Sequence, residues 1–206
     1  QSGIVEKELI TLLPDAKYLK LFHPIYNVFS DKIKSSIALK KLNIKKKYVI
    51  LYFGMVRPYK GFDILIRSVR FLKESINDFI VLAVGESYEP EEKYRAMIKK
   101  EKIEDVFNWE NRYIPDSEIV NYFSAADVVA LPYKNASQSG VIQIAYHYDT
   151  PVVVTNVGGL SEMVDEGNSG NIIPPEDPIA LAKTISVNLK NGNYHKMVDF
   201  ISEYKN

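Results

Sequence analysis

The sequence predicts an α/β fold, a doubly wound parallel sheet in three layers over residues 48–192. Apolar runs of strand length alternate with segments of helical period, as expected for parallel strands joined by helical crossovers. Residues 137–162, SQSGVIQIAYHYDTPVVVTNVGGLSE, are the most informative part of the chain. A small polar loop enters an apolar helix, a Thr-Pro break follows, then a β-branched run and a Gly-Gly turn. This order puts two turns without bulky side chains at the ends of neighbouring strands, where open α/β sheets hold phosphorylated ligands. A nucleotide-type ligand is the reading these turns favour.

The elements follow in order. Residues 1–47 do not fit the regular alternation. Residues 4–13 look helical, 18–21 could form a strand, and His23-Pro24-Ile25-Tyr26-Asn27 reads as a connector, so this segment is expected to be the end of a preceding domain and a linker. Strands are expected at 48–53, 79–84, 106–109, 127–131 and 152–155, in a sheet of five or six. Phe62, Leu65, Ile66, Val69 and Leu72 fall on one helical stripe. Pro90 as a first-turn proline and Asp116 as an N-cap open two further helices. Asp177-Pro178 starts another, and Gly192 stops it. Residues 193–206 form a last helix whose stripe, Met197, Phe200, Ile201 and Tyr204, is expected to find its support outside the chain. The first residue is Gln1, which points to a piece of a longer protein.

Composition narrows the function classes. At 206 residues with 46% apolar and 25% charged, the chain suits one good core or two small ones. Lys+Arg and Asp+Glu both number 26, so no global basic field argues for nucleic acid. No window is long and apolar enough to span a membrane. The absence of cysteine rules out disulfides and thiolate chemistry and suits a cytoplasmic location.

Three turns could carry chemistry. The first is Gly54-Met55-Val56-Arg57-Pro58-Tyr59-Lys60-Gly61, between an expected strand and an expected helix. Such a junction points backbone N–H groups and the positive helix end into the crevice, and Arg57 and Lys60 add full charges suited to a diphosphate. The alternative is a solvated surface turn. The second is Ser137-Gln138-Ser139-Gly140-Val141, where small residues at a helix start leave N–H groups for an anion, or where the hydroxyls merely cap the helix. The third is Val157-Gly158-Gly159-Leu160-Ser161-Glu162, either a close backbone approach to a ligand or only a tight turn. No P-loop or dinucleotide fingerprint and no Asp-x-Asp pair is present.

Taken in this order, the segments resemble the C-terminal donor-binding domain of the retaining nucleotide-sugar glycosyltransferases of family 4, within group 1 and the GT-B fold. His23 to Phe29 is similar to the interdomain linker, residues 50–61 to the first strand and its glycine turn, and Asn111-Arg112-Tyr113-Ile114-Pro115 with 124–128 to the base-side loop and fourth strand. Residues 150–154 with 158–162 complete the resemblance. It implies a Rossmann-like domain that binds a nucleotide diphosphate sugar and transfers the sugar with retention, without cofactor or metal. Lys60 would hold the diphosphate, and Tyr113 and Ile114 would lie beside the base. The acceptor, a saccharide or a lipid-linked one, would be held mainly by an N-terminal domain that also carries acceptor-side catalytic residues.

The departures from that pattern are specific. The family's Arg directly after the first glycine is Met55 here, and Arg57 stands two residues on, on the same side of an extended turn. The family's two glutamates, separated by seven intervening residues, fall on Ala136 and Ile144, or one residue earlier on Asn135 and Gln143, an amide pair in which Gln143 could reach the ribose. A non-catalytic sugar-nucleotide-binding or regulatory module is the alternative this loss suggests. His23, His147 and His195 share no pattern and read as structural. The basic run at residues 40–47 reads as a solvated linker helix, or as a peripheral contact with anionic lipid.

Overall fold

The computed structural model describes residues 3–19 and 28–205. Among these residues, six strands form a single sheet: β1 (Tyr48–Phe53), β2 (Phe79–Val84), β3 (Phe107–Glu110), β4 (Val128–Leu131), β5 (Val152–Thr155) and β6 (Gly170–Ile173). Their order is β3-β2-β1-β4-β5-β6, and every neighbouring pair is parallel. The chain builds outward from β1 in one direction and then from β4 in the other. The strand order therefore reverses between β1 and β4, which opens a crevice at their C-terminal ends.

Both faces of the sheet are covered, which explains why β1 (YVILYF) and β2 (FIVLAV) read as unbroken apolar runs. Alternate residues go to opposite layers. Ile50, Tyr52, Val81, Ala83, Val128 and Ala130 pack in one core with α3 (Phe62–Ser75), α4 (Glu91–Glu101) and α7 (Pro178–Lys190). Val49, Leu51, Leu82, Val84, Val129 and Leu131 pack in the other with α5 (Asp116–Ala125) and α6 (Gly140–His147). The α3 stripe Phe62, Leu65, Ile66, Val69 and Leu72 is wholly buried.

The remaining helices flank this unit. α1 (Gly3–Leu12) lies where a helix is expected, and α2 (Ser35–Lys41) packs on α5. The basic run is helical only as far as Lys41, so Lys45, Lys46 and Lys47 follow the helix. α8 (Asn193–Tyr204) is better supported than its sequence suggests, because Tyr194 and Met197 join the α3–α7 core and Ile201 is buried as well. Tyr204 alone of its stripe stands 81% exposed.

Boundaries moved by a residue where local chemistry competes. Val106 turns back on Ile103 and gives only its carbonyl to Val81 N–H at 2.8 Å. Asp127 precedes β4, where its carboxylate accepts Val49 N–H at 2.7 Å, and burial pushes its pKa up. Pro90 and Pro115 occupy the N-cap positions, so Asp116 is the first helical residue rather than the cap. Asp177 does cap α7, accepting from the Ile179 and Ala180 N–H groups. Strand β6 was not placed from sequence, since Gly170-Asn171-Ile172-Ile173 is short and half-exposed at the sheet edge. Tyr18 and Leu19 lie in no strand. The rest of that proposed strand and His23 to Asn27 fall outside the described residues.

Gly61 has φ +66, and a Cβ there would stand 1.8 Å from the Pro132 carbonyl oxygen. Gly167 has φ +82 but open space around its Cβ position. Gly167→Ala should therefore cost about 1–2 kcal/mol, the left-handed penalty alone. Gly61→Ala adds a backbone clash and should cost on the order of 3 kcal/mol or more. Urea unfolding of the two variants checks the difference; equal losses would contradict the close approach.

Candidate functional site

The crevice between β1 and β4 holds a cleft of about 410 Å³ whose walls are the turns after these two strands. On the β1 side the chain stays extended beyond the strand, because Val56 N–H donates to the Glu86 carbonyl at 2.8 Å. Val56 is 1% exposed and Met55 is 42% exposed, while Arg57 is half-buried. The alternation puts Arg57 on the side of Met55, as the i, i+2 spacing requires. Its guanidinium lies over the Tyr88 ring, 4.5 Å from the centroid. A single tight turn, Pro58–Lys60, then closes on Gly61 and starts α3.

Lys60 ends this turn with only 9% of its surface exposed. Its ammonium lies 3.2 Å from the position a Cβ on Gly54 would take, and 5.7 Å from the Tyr133 ring centre. Gly54, at φ +103, is thus the floor that lets a cation in. Among the described residues no carboxylate pairs with Lys60; the nearby Asp63 is taken by Lys134 at 3.0 Å and Arg67 at 3.2 Å. Burial first, and the Arg57 charge second, hold the Lys60 pKa below the ordinary lysine value.

The opposite wall is the loop from β4 to α6. Lys134 N–H donates to the Tyr59 carbonyl at 2.7 Å, and the Tyr59 and Tyr133 rings meet edge-on at 6.2 Å, so the two turns are directly tied. Ser139 occupies the N-cap position of α6 in an extended conformation, but its hydroxyl makes no capping bond. It lies 3.4 Å from the Tyr133 hydroxyl instead. The capping alternative fails for Ser139, and the Gly140 and Val141 N–H groups at the helix start have no intrahelical acceptor. Gly140, Val141 and Ile144 present one face of α6 to the cleft.

The third turn supports the second. A Cβ on Gly158, at φ +50, would meet the Ala136 carbonyl oxygen at 1.7 Å, and Gly159 N–H donates to that same oxygen at 3.2 Å. This turn braces the β4–α6 loop from outside the cleft lining. Of the two readings of these glycines, the tight turn is the one the structure shows, with the Ala136 backbone as their close neighbour.

Of the residues singled out from sequence, Lys60, Gln138, Ser139, Gly140 and Val141 line the cleft, Gly54 underlies Lys60, and Ser137 is exposed in the same loop. Gln143 is 8% exposed and is not among the lining residues; its neighbour Ile144 is. Tyr113 and Ile114 follow β3, two strands from β1, and do not line the cleft. Tyr113 is 72% exposed, whereas Ile114 is 6% exposed and packed in the α5–α6 core, so only its main chain is free to face a ligand. Phe29, Tyr59 and Tyr133 complete the lining without having been singled out. Gly85 was also missed; at φ +142, a Cβ there would stand 2.3 Å from the Gly54 carbonyl oxygen. Its signal was a glycine at the end of β2 matching Gly54 at the end of β1. His147 is structural, with Nε2 3.1 Å from the Ser30 carbonyl oxygen.

The sequence profile of the glycosyl transferases group 1 matches residues 35–204. The chain belongs to this family. A D-inositol 3-phosphate glycosyltransferase of Corynebacterium glutamicum is 31% identical over 143 residues, 67% of this chain and 34% of the relative. That of Thermomonospora curvata is 29% identical over 179 residues, 82% of this chain and 40% of the relative. The chain thus spans about a third to two fifths of these curated relatives. Among solved structures, the sucrose-phosphate synthase of Thermosynechococcus elongatus superposes over 100% of this chain and 53% of its own, with TM-score 0.83 and 22% identity. Anabaena HepE, solved with UDP, covers 88% of this chain and 51% of its own at TM-score 0.75 and 22% identity. The Rossmann-like sheet is accordingly that of the GT-B glycosyltransferases, and the strand order and crevice of this group 1 domain fit it.

A buried, unpaired lysine costs stability. Its folded-state pKa lies below the ordinary value near 10.5, so between the two values the unfolded chain binds more protons and stability rises with pH. Lys60→Met removes the cost, so the ligand-free variant should unfold at a higher temperature than wild type at pH 7. The advantage should shrink as pH approaches 10.5. Thermal melts at pH 7 and pH 10.5 check this; a variant less stable at pH 7 would show that Lys60 has a partner in the folded state.

Proposed function

We propose that the chain is the donor-binding part of a retaining glycosyltransferase of family 4, and that its cleft holds the diphosphate of a nucleotide diphosphate sugar. One observation carries this reading: the Lys60 ammonium is buried, unpaired among the described residues, and in the same cleft as an uncapped helix start. Burial of a lone cation is costly unless an anion joins it. Group 1 membership supplies the chemical context, and HepE, a structural neighbour, has been solved with UDP and with UDP-glucose.

In this reading the bond between the anomeric carbon and the diphosphate oxygen breaks, and its electron pair leaves with the diphosphate. Negative charge grows there. Lys60 and the Gly140 and Val141 N–H groups stabilise that charge from fixed positions, and Arg57 adds its charge from the Tyr88 side. The protein's own cations serve the leaving group, so the reading calls for no metal. Tyr113 and the Ile114 main chain are placed by the same resemblance beside the base. The acceptor, a saccharide or lipid-linked, is assigned to the N-terminal part of the longer protein. Lys40, Lys41, Lys45 and Lys47 are exposed and would favour an anionic membrane surface on the cytoplasmic side.

A second reading rests on Ile144, an apolar residue in the cleft where the resemblance expects a donor-binding glutamate. It makes the domain a sugar-nucleotide-binding or regulatory module without turnover. Transfer to acceptors by the longer protein separates the two, because both predict donor binding.

A charge-assisted hydrogen bond contributes roughly 1.5 to 3 kcal/mol, so Lys60→Ala should weaken UDP binding roughly ten- to a hundredfold and leave uridine binding nearly unchanged. Gly140→Val should likewise harm the diphosphate more than the nucleoside, with the fold retained. Calorimetric titration of the two variants measures both. Unchanged UDP affinity in folded Lys60→Ala would remove the site assignment.

A further inference from the structure

We infer that Lys60 is also a covalent site: its amine condenses reversibly with phosphorylated aldehydes, whose phosphate is seated at the start of α6 and whose carbonyl is thereby held at Nζ. The site rests on the same anion seat as the donor reading above. Its chemistry is bond formation rather than charge, and its occupant is a carbonyl compound rather than a nucleotide.

A lysine attacks a carbonyl only as the free amine, because an ammonium has no lone pair to give. Lys73, Lys93 and Lys134 each stand within 3.0 Å of a carboxylate oxygen, which favours the ammonium. Lys60 is nine-tenths buried, no carboxylate pairs with it among the described residues, and the Arg57 charge opposes its own. Burial and a neighbouring cation both lower its pKa, and these are the means by which folds turn a lysine into a nucleophile.

The surroundings supply a seat for the partner. Lys60 Nζ lies 5.7 Å from the centre of the Tyr133 ring, and the Tyr133 hydroxyl lies 3.4 Å from Oγ of Ser139, the N-cap residue of α6. One side chain thus connects the amine to the helix start, and all of them line a single cleft. Its volume of about 410 Å³ falls among those of small-ligand sites, roughly 300 to 1,000 Å³. The Gly140 and Val141 N–H groups suit a phosphate, and Tyr59 and Phe29 offer rings to the body of the molecule. A carbonyl a few bonds from that phosphate comes within reach of the flexible lysine.

In the reaction the Nζ lone pair attacks the aldehyde carbon, the carbonyl oxygen takes up a proton, and the carbinolamine loses its hydroxyl as water. A C=N bond replaces the C=O bond, and the two amine protons leave with that oxygen. Nothing is oxidised or reduced. Water reverses the step, so the adduct closes the cleft to anions only while the aldehyde is present.

The test is incubation of the chain with a limiting amount of pyridoxal 5′-phosphate, trapping with borohydride, which reduces the imine to a stable secondary amine, and mapping of the labelled peptides by mass spectrometry. Lys60 should carry roughly ten times the label of exposed Lys45 or more, and 5′-deoxypyridoxal, an aldehyde without phosphate, should lose that preference. Inorganic pyrophosphate should suppress the adduct at Lys60 and leave the one at Lys45. Gly140→Val, with the fold retained, should lower labelling of Lys60 by the phosphorylated aldehyde toward that by 5′-deoxypyridoxal. The inference is overturned by a Lys60 adduct no more abundant than the Lys45 adduct, by equal labelling with the two aldehydes, or by labelling that neither pyrophosphate nor Gly140→Val reduces. Calorimetry with UDP separates the two readings of the cleft. UDP binding without a Lys60 adduct removes this inference and leaves the donor reading standing, whereas a pyrophosphate-sensitive Lys60 adduct without UDP binding does the reverse.

Discussion

The site depends on a backbone contact, the approach of Gly61 to the Pro132 carbonyl at the C-terminal ends of β1 and β4. A side chain at residue 61 would push the two turns apart. With none there, Tyr59 can accept Lys134 N–H, the Tyr59 and Tyr133 rings can meet, and Lys60 is delivered over Gly54 toward the start of α6. Gly85 against Gly54 and Gly158 against Ala136 repeat the device on either side. The ends of β1, β2, β4 and β5 are thus locked by contacts that only glycine permits, and the charged side chain is positioned by backbone rather than by an ion pair.

That arrangement works against stability where it serves binding. An acidic partner would stabilise Lys60 in the free protein and compete with any anionic ligand. Asp63 stands three residues on, but it is held by Lys134 and Arg67, so the carboxylate near Lys60 is already neutralised. The Ser139 hydroxyl shows the same tendency. It could cap α6 and satisfy an N–H group, yet it faces the Tyr133 hydroxyl, whose pKa is pushed up to about 12 by burial. The pairing of an unpaired cation with an uncapped helix start is a cost in the free fold and a gain once an anion is bound.

How much of this was legible in the sequence varies with what each residue senses. Strands buried on both faces announce themselves as apolar runs, so β1 and β2 were readable end to end, while β6, with glycine and asparagine at an exposed edge, gave no such signal. Lys60, Ser139 and Gly140 were readable because small or charged residues directly after a strand have few purely structural uses. The aromatic and aliphatic part of the lining was not, since Tyr59, Tyr133, Phe29 and Ile144 look like core residues until the order of the strands decides which turns face each other. Tyr113 and Ile114, which the family resemblance takes together, differ in their surroundings, with the Ile114 side chain in the core and Tyr113 in solvent, a difference that a shared motif does not reveal. The choice between Gln143 and Ile144 turned on a single residue of helical phase, about 100° of rotation, which counting along a sequence cannot settle.

The phase of α6 has a chemical consequence beyond register. A glutamate at residue 144 would add an acceptor for pentose hydroxyls, and it would also add a negative charge to the cleft that holds the buried ammonium. That charge would attract Lys60 or oppose an anionic ligand. Ile144 avoids both. In the proposed donor reading, the field of Lys60 and the α6 N–H groups is then left whole for the phosphates.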